Sequence, residues 1–284
     1  MNPNISGVLA IAMWSLLALL TVASGAVPPL QLLAMTFLIG GLSGAVTWIV
    51  RGFPAELVKL PWYLWLFGIG GLFGYHFFYY TALRNAPPAQ AGLIAYLWPM
   101  LIVAGSALLP GEKLRWYHLA GVFLGFCGAV ILLASDGDLL ALSGSAFGYA
   151  SAFACAFIWS AYSILSRTMK SAPVDCVAIY CLASAVLAFF CHLAFETTVW
   201  PQTGGQWLAV AGLGLMPVGL AFYAWDHGMK HGNIQLLGGI SYFAPLASTL
   251  ILTVAGFAEP GWQLFAACVL ITLGAIVCSG RLKI

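Results

Sequence analysis

The chain is a succession of apolar runs, each about as long as a lipid bilayer is thick, with almost no charge inside them. A helix needs about 20 mostly apolar residues to cross a hydrocarbon core of about 30 Å. Read between charged or Pro/Gly-rich breaks, the runs number ten, at 5–26, 30–50, 61–84, 87–109, 117–134, 145–166, 174–195, 205–226, 233–256 and 261–280. The breaks are short, such as Arg51-Gly52-Phe53-Pro54, Pro110-Gly111-Glu112-Lys113 and Ser135-Asp136-Gly137-Asp138, and none has room for a soluble domain. Only 6% of the residues are charged, against about 25% in an ordinary soluble protein. So little charge cannot cover a water-facing surface, and the expected fold is an all-α membrane protein of ten transmembrane helices.

The basic residues orient the bundle. With a cytoplasmic amino terminus, the inner loops and tail carry Arg51, Lys59, Lys113, Arg115, Arg167, Lys170, Lys230, Arg281 and Lys283, and the outer loops carry Arg84 alone. This bias predicts that both termini are cytoplasmic. Ala23-Ser24-Gly25-Ala26 loosely matches a signal-peptide cleavage site, but Met1 to Ser6 has no Lys or Arg, so the first run reads as a membrane helix. A net charge of +2 gives no footprint for nucleic acid. The seven cysteines form no C-x-x-C pair and read as small buried apolar residues.

The halves repeat. A shift of 145 lays Trp14-Ser15 on Trp159-Ser160, Pro28 on Pro173 and Trp62 on Trp207; a shift of 146 lays Tyr96 on Tyr242, Pro99 on Pro245, Trp116 on Trp262 and Gly128-Ala129 on Gly274-Ala275. The expected units are 1–138 and 139–284, five helices each. An odd number of spans turns the second unit upside down, and such inverted repeats are typical of secondary transporters, with the solute site near the midplane.

Three kinds of residue are candidates for that site. Pro99 and Pro245 lie inside apolar runs at equivalent places, where each would free a carbonyl, that of Ala95 or Ser241, and act as a hinge or site wall. Pro217 would likewise free Leu213. A static kink is the alternative. Trp14, Tyr96 and Tyr242 lie nine residues in from the ends of their runs, about 13 Å deep. Trp98, Trp159 and Tyr162 lie near that depth. A buried Trp N–H or Tyr O–H needs a partner, and each ring could line a cavity or simply fill the core. Most other Trp residues stand at run ends, where membrane interfaces collect them. His76 is the only ionisable side chain near mid-depth, and Tyr79 and Tyr80, three and four residues on, share its face of the third helix. Together with Tyr223, the expected solute-binding set is Trp14, His76, Tyr79, Tyr96, Trp98, Trp159, Tyr223 and Tyr242. His227 and His231 have a metal-like spacing, but Asp226 and Lys230 beside them read as a solvated loop, so no metal site is expected. Gly40-x-x-x-Gly44, Gly70-x-x-x-Gly74, Gly121-x-x-x-Gly125 and Gly144-x-x-x-Gly148 suit close helix packing. No nucleotide loop, zincin motif or nucleophile elbow is present, so neither an enzyme nor a cofactor is expected.

Ala221-Phe222-Tyr223-Ala224-Trp225-Asp226-His227-Gly228, His231-Gly232-Asn233, Ser241-Tyr242-Phe243-Ala244-Pro245 and Ala95-Tyr96-Leu97-Trp98-Pro99 together resemble the drug/metabolite transporter superfamily. The likeness covers the whole chain as two EamA-type repeats and is greatest to the YddG-type aromatic amino acid exporters. Glu112 and Glu259 resemble repeat ends of that superfamily, but they fall one residue out of register and carry no expected site role. The resemblance implies export of aromatic and other neutral amino acids across a bacterial inner membrane, with the solute and the lipid bilayer as partners and a monomer as a plausible state. Export of another metabolite or a drug, or a non-transporting role as a sensor or assembly protein, are the alternatives.

Overall fold

The computed structural model describes residues 1–134, 145–257, 259 and 261–280. The expected repeat boundary at 138/139, the break at 135–138, Gly144, Arg281 and Lys283 lie outside the described residues. Regular structure among the described residues is entirely helical. It forms ten long stretches: α1 Pro3–Ala23, α2 Pro29–Arg51, α3 Trp62–Asn85, α4 Gln90–Leu108, α5 Trp116–Ala134, α6 Ala146–Ser166, α7 Cys176–Phe195, α8 Gly204–His231, α9 Ile234–Val254 and α10 Trp262–Cys278.

Eight of these are long and apolar enough to cross a membrane. The other two of the ten expected spans fall short for different reasons. Helix α3 has 24 residues, but His76, four glycines and several Tyr and Trp dilute its apolarity. Helix α10 is apolar but has only 17 residues.

Local chemistry sets the helix starts. Asn2, Ser145, Thr203 and Asn233 each accept from a backbone N–H in the first turn of the next helix, at 2.9–3.2 Å. Pro29 occupies the first turn of α2, and Pro88 opens the helical segment Pro88–Ala95 that leads into α4; in both places the missing N–H has no partner to lose.

Four helices are irregular near their middles. Backbone turns interrupt α1 at Ser15-Leu16, α4 at Tyr96-Leu97 and α9 at Ser241-Tyr242, while α8 carries a π-helical turn at Met216–Leu220 around Pro217. This corrects the expectation for the prolines. Pro99 and Pro245 do not bend continuous helices; each sits in the first turn of a new half-helix, Trp98–Gly105 or Phe243–Val254. The Ser241 carbonyl is not free either, because it accepts from Ala244 N–H at 3.0 Å.

The most extensive interfaces pair α5 with α10, α2 with α7, α3 with α6 and α1 with α8. Glycines allow two of the closest approaches. A Cβ on Gly40 of α2 would stand 2.8 Å from the Gly219 Cα of α8, and one on Gly274 of α10 would stand 2.8 Å from the Gly125 N of α5. Gly70 meets nothing within 4 Å, so that expected small-residue face packs against no neighbour at this position.

The starts of α1, α3, α5, α7 and α9 and the ends of α2, α4, α6, α8 and α10 share one face of the bundle, the terminal face. The Asn4 side chain there accepts from Asn233 N–H at 2.7 Å. Below that face a single large core runs through α1, α2, α3, α4, α6, α7, α8 and α9.

Candidate solute-binding site

The irregular helices converge on one cavity of about 90 Å³. Trp14 and Leu17 flank the break in α1, Tyr96 lies in the break of α4 with Trp98 just after it, and Ala244 comes just after the break in α9. Pro217, Val218 and Phe222 come from the π-turn of α8 and the residues just after it. The unbroken helices α3 and α6 supply Tyr75, His76 and Trp159.

The walls are held by ring contacts and a few directed bonds. The Trp14 ring stands edge-on to Trp98 at 6.2 Å and to Trp159 at 5.7 Å, and its Nε1–H donates to the Pro217 carbonyl at 3.1 Å. That bond joins the irregular parts of α1 and α8. Ser160 Oγ of α6 shares its one proton between the Ala156 carbonyl of its own helix at 2.7 Å and the Trp98 carbonyl beside the α4 break at 3.0 Å. His76 Nδ1 lies 2.8 Å from the Leu72 carbonyl. A carbonyl only accepts, so Nδ1 carries the proton, and Nε2 of the neutral ring keeps a lone pair. Among the described residues, no Asp, Glu, Lys or Arg lines the cavity.

Five of the eight expected residues meet here: Trp14, His76, Tyr96, Trp98 and Trp159. Three do not. Tyr79 stacks in parallel on Tyr75, ring to ring at 6.0 Å, one turn along α3 from the cavity. Tyr223 faces the far side of α8 and donates its hydroxyl to the Gly40 carbonyl at 3.1 Å. Tyr242 is fully buried in a second core with Val103, Val122 and Ile271. Its hydroxyl donates to the Tyr96 carbonyl at 3.1 Å, so it ties the two breaks together from behind the cavity.

Tyr75, Phe222 and Trp225 were not singled out by sequence reasoning. Tyr75 had a signal, since it stands four residues before Tyr79 on the same helical face. Phe222 did not. It lies in the first turn after the π-turn of α8, where regular helical spacing does not carry over from the residues before it. Trp225 is fully buried beneath the cavity, 5.0 Å from Trp14 and 5.7 Å from Trp98 between ring centres, with its Nε1–H donating to Ser163 Oγ at 3.0 Å.

A polar lattice closes the terminal face below Trp225. Arg167 bonds Glu112 through Nε at 3.0 Å and donates to the carbonyls of Met229, Lys230 and Gly232 at the end of α8. Gln235 reaches the same carboxylate at 3.1 Å. Glu112, given no role from the sequence, therefore joins the α4–α5 connection to α6 and α9. Asp226 and Lys230 form a buried ion pair at 2.7 Å. The solvated loop expected around them is instead the last turns of a helix, where His227 and His231 lie with ring centres 5.2 Å apart. No cluster of three or more metal-ligating side chains occurs among the described residues.

At the opposite face, Glu196 accepts from the Leu30 and Gln31 N–H groups at 3.1 Å, which places a carboxylate on the start of α2. Arg84 and His192 also contact it, tying the ends of α3 and α7 to α2.

The sequence matches the EamA-like transporter family over residues 2–134 and again over 146–280. The chain belongs to that family. It is similar to the aromatic amino acid exporter YddG of Ancylobacter novellus, with 53% identity over 97% of this chain and 96% of the relative. Proteins of the same name from Salmonella typhimurium and Escherichia coli are each 24% identical over 96% of this chain and 94% of theirs. A solved crystal structure with 52% identity superposes with a TM-score of 0.91, covering 98% of this chain and 97% of that one. As a member of the EamA-like family with eight helices able to cross a bilayer, the chain is a multi-pass membrane transporter.

Proposed function

We propose that this transporter exports aromatic and other neutral amino acids across the bacterial inner membrane by alternating access. The observation that carries the proposal is the cavity in which four irregular helices meet, walled by indole and phenol rings and, among the described residues, lined by no carboxylate. The aromatic exporters similar to this chain support the same substrate class.

Ten spans arranged as two inverted units, 1–138 and 139–284, are part of the proposal, with both termini and the terminal face cytoplasmic. The packing supports it: α2, α4 and α5 each touch their own counterparts α7, α9 and α10, while α3–α6 and α8–α1 exchange under the repeat. A two-fold axis in the membrane plane produces such a pattern. If so, an impermeant thiol reagent outside intact cells leaves a cysteine added at the amino terminus unlabelled; labelling there sinks the orientation.

In this reading the solute ring packs among Trp14, Trp98 and Trp159. Its ammonium meets aromatic faces and the His76 Nε2 lone pair. A cavity of about 90 Å³ is smaller than the roughly 150 Å³ void that takes up benzene. The form described is therefore a narrowed one, and an aromatic solute occupies a wider form. The half-helices that begin near Pro99 and Pro245 are the proposed moving parts, with the breaks just before them as hinges. Absence of a charged partner for the solute carboxylate among the described lining residues favours one second reading, an uncharged aromatic metabolite or drug. Uptake into proteoliposomes, with and without an imposed pH gradient, tests both. Labelled phenylalanine should equilibrate down its own gradient in either case. Failure of every aromatic amino acid to exchange would refute the substrate class, and accumulation that needs the pH gradient and disappears in His76→Ala would refute proton-independent transport.

A further inference from the structure

An amino acid carries a carboxylate, but among the described residues the central cavity offers it no cation. A cation stands two helical turns away, at the end of α3. Arg84 is the only Lys or Arg among the described residues at the face opposite the termini. It lies eight residues beyond His76 and four beyond Tyr80, about 12 Å and 6 Å along the helix. A helical Cβ leans toward the helix start. The cavity residues Tyr75 and His76 precede Arg84 on α3, so its side chain sets out toward the cavity.

Aromatic rings fill the interval. One turn beyond the cavity, Tyr79 stacks on Tyr75 at 6.0 Å, and Tyr80 stands 6.1 Å from Tyr79 and 6.5 Å from His76 between ring centres. This side of α3 looks into the bundle: Tyr75 meets Trp159 of α6, and His76 meets Phe37 of α2 and Phe222 of α8. Even so, Tyr75, Tyr79 and Tyr80 each keep accessible surface, whereas Trp98, Trp159 and Trp225 are buried. The hydroxyls of Tyr79 and Tyr80 make no hydrogen bond among the described residues. An inward phenol oxygen calls for a partner, and a solute ammonium is one.

Arg84 has donors to spare. Its side chain is 46% exposed, and among the described residues its guanidinium reaches one partner, Glu196, through Nη2. That carboxylate has other support, since it accepts from the Leu30 and Gln31 N–H groups and contacts His192. A guanidinium presents five N–H donors in one plane, and a free edge takes a carboxylate in two parallel bonds. In an aromatic amino acid three bonds separate the ring from the carboxylate carbon. A ring beside Tyr80 therefore brings the carboxylate to Arg84, one turn on.

We infer that Tyr79, Tyr80 and Arg84 form an outer subsite, where the solute pauses between the central cavity and the face opposite the termini. The rings hold the aromatic side chain, the phenol oxygens accept from the ammonium, and Arg84 binds the carboxylate. This rests on the transport reading above and deepens it. Selection for an amino acid over an uncharged aromatic is then made at the mouth by Arg84, while the central cavity selects only for a ring.

The test is counterflow of labelled phenylalanine in proteoliposomes, with unlabelled phenylalanine or phenylalaninamide as competitor. The amide keeps the ring and the ammonium but lacks the carboxylate. The wild-type protein should prefer phenylalanine by about tenfold or more, as a charge-assisted pair implies. Arg84→Gln should remove most of that preference by weakening phenylalanine alone, and Arg84→Lys should restore part of it. Glu196→Gln breaks the ion pair yet leaves the Arg84 charge, so the preference should survive. Tyr79→Ala should weaken both competitors alike. If Arg84→Gln exchanges nothing, the same two ligands are compared by the change in tryptophan fluorescence in detergent. A wild-type preference near one, a preference untouched by Arg84→Gln, or one lost equally in Glu196→Gln overturns the subsite and leaves the transport reading intact. A wild-type protein that exchanges no aromatic amino acid defeats the transport reading, and the subsite with it.

Discussion

The breaks in α4 and α9 occupy matching positions in the repeat and carry the same residue type, Tyr96 and Tyr242, yet they serve different ends. Tyr96 gives its ring to the solute cavity and its carbonyl to a partner behind it. Tyr242 gives its ring to a packed core with Phe126 and Ile271 and its hydroxyl to that carbonyl. One tyrosine therefore faces the cavity and the other holds its backbone in place. The difference teaches that a duplicated position keeps its depth and its secondary structure, while its neighbours assign its task.

The sharpest way to break this comparison is truncation. Tyr242→Ala leaves a void in the second core and should cost about 3–5 kcal/mol, the range for removing a large buried aromatic side chain. Tyr96→Ala keeps the carbonyl that Tyr242 uses and opens onto a cavity, so its stability cost should be about 1 kcal/mol or less while exchange of aromatic solutes collapses. Thermal unfolding in detergent and counterflow in liposomes, run on both variants, separate the roles. Equal destabilisation by the two would show that the sites are equivalent after all.

A smaller effect sharpens the same point. Tyr242→Phe keeps the packed ring and removes only the donor to the Tyr96 carbonyl, a loss of about 0.5–1.5 kcal/mol. It should lower the unfolding temperature by a few degrees and weaken aromatic exchange modestly, because the α4 break would be held less firmly. No change in either measurement would mean that the 3.1 Å bond does not couple the breaks.

Much of the site was legible from depth alone. Trp14, Tyr96, Trp98 and Trp159 are polar-tipped rings at mid-span, and His76 is an ionisable group there; all five reach the cavity. What depth could not supply was rotation about the helix axis. Tyr223 and Phe222 differ by one residue, yet Phe222 lines the cavity while Tyr223 reaches the Gly40 carbonyl of α2. Charge was misleading for a related reason. Asp226 and Lys230 have the composition of a loop, but they are one helical turn apart and neutralise each other at 2.7 Å inside the bundle. Glu112 and Arg167 lie 55 positions apart, beyond the reach of any local spacing rule.

By itself the sequence determined that this chain lives in a bilayer as a duplicated helical bundle with aromatic rings at its centre. Those properties arise from the length and apolarity of single runs, from local caps and prolines, and from side-chain chemistry at a countable depth. Only the tertiary structure decided which rings share a cavity and which tyrosine became a strut. Such outcomes depend on how irregular helices rotate and pack against distant segments, and local sequence periodicity carries no record of that.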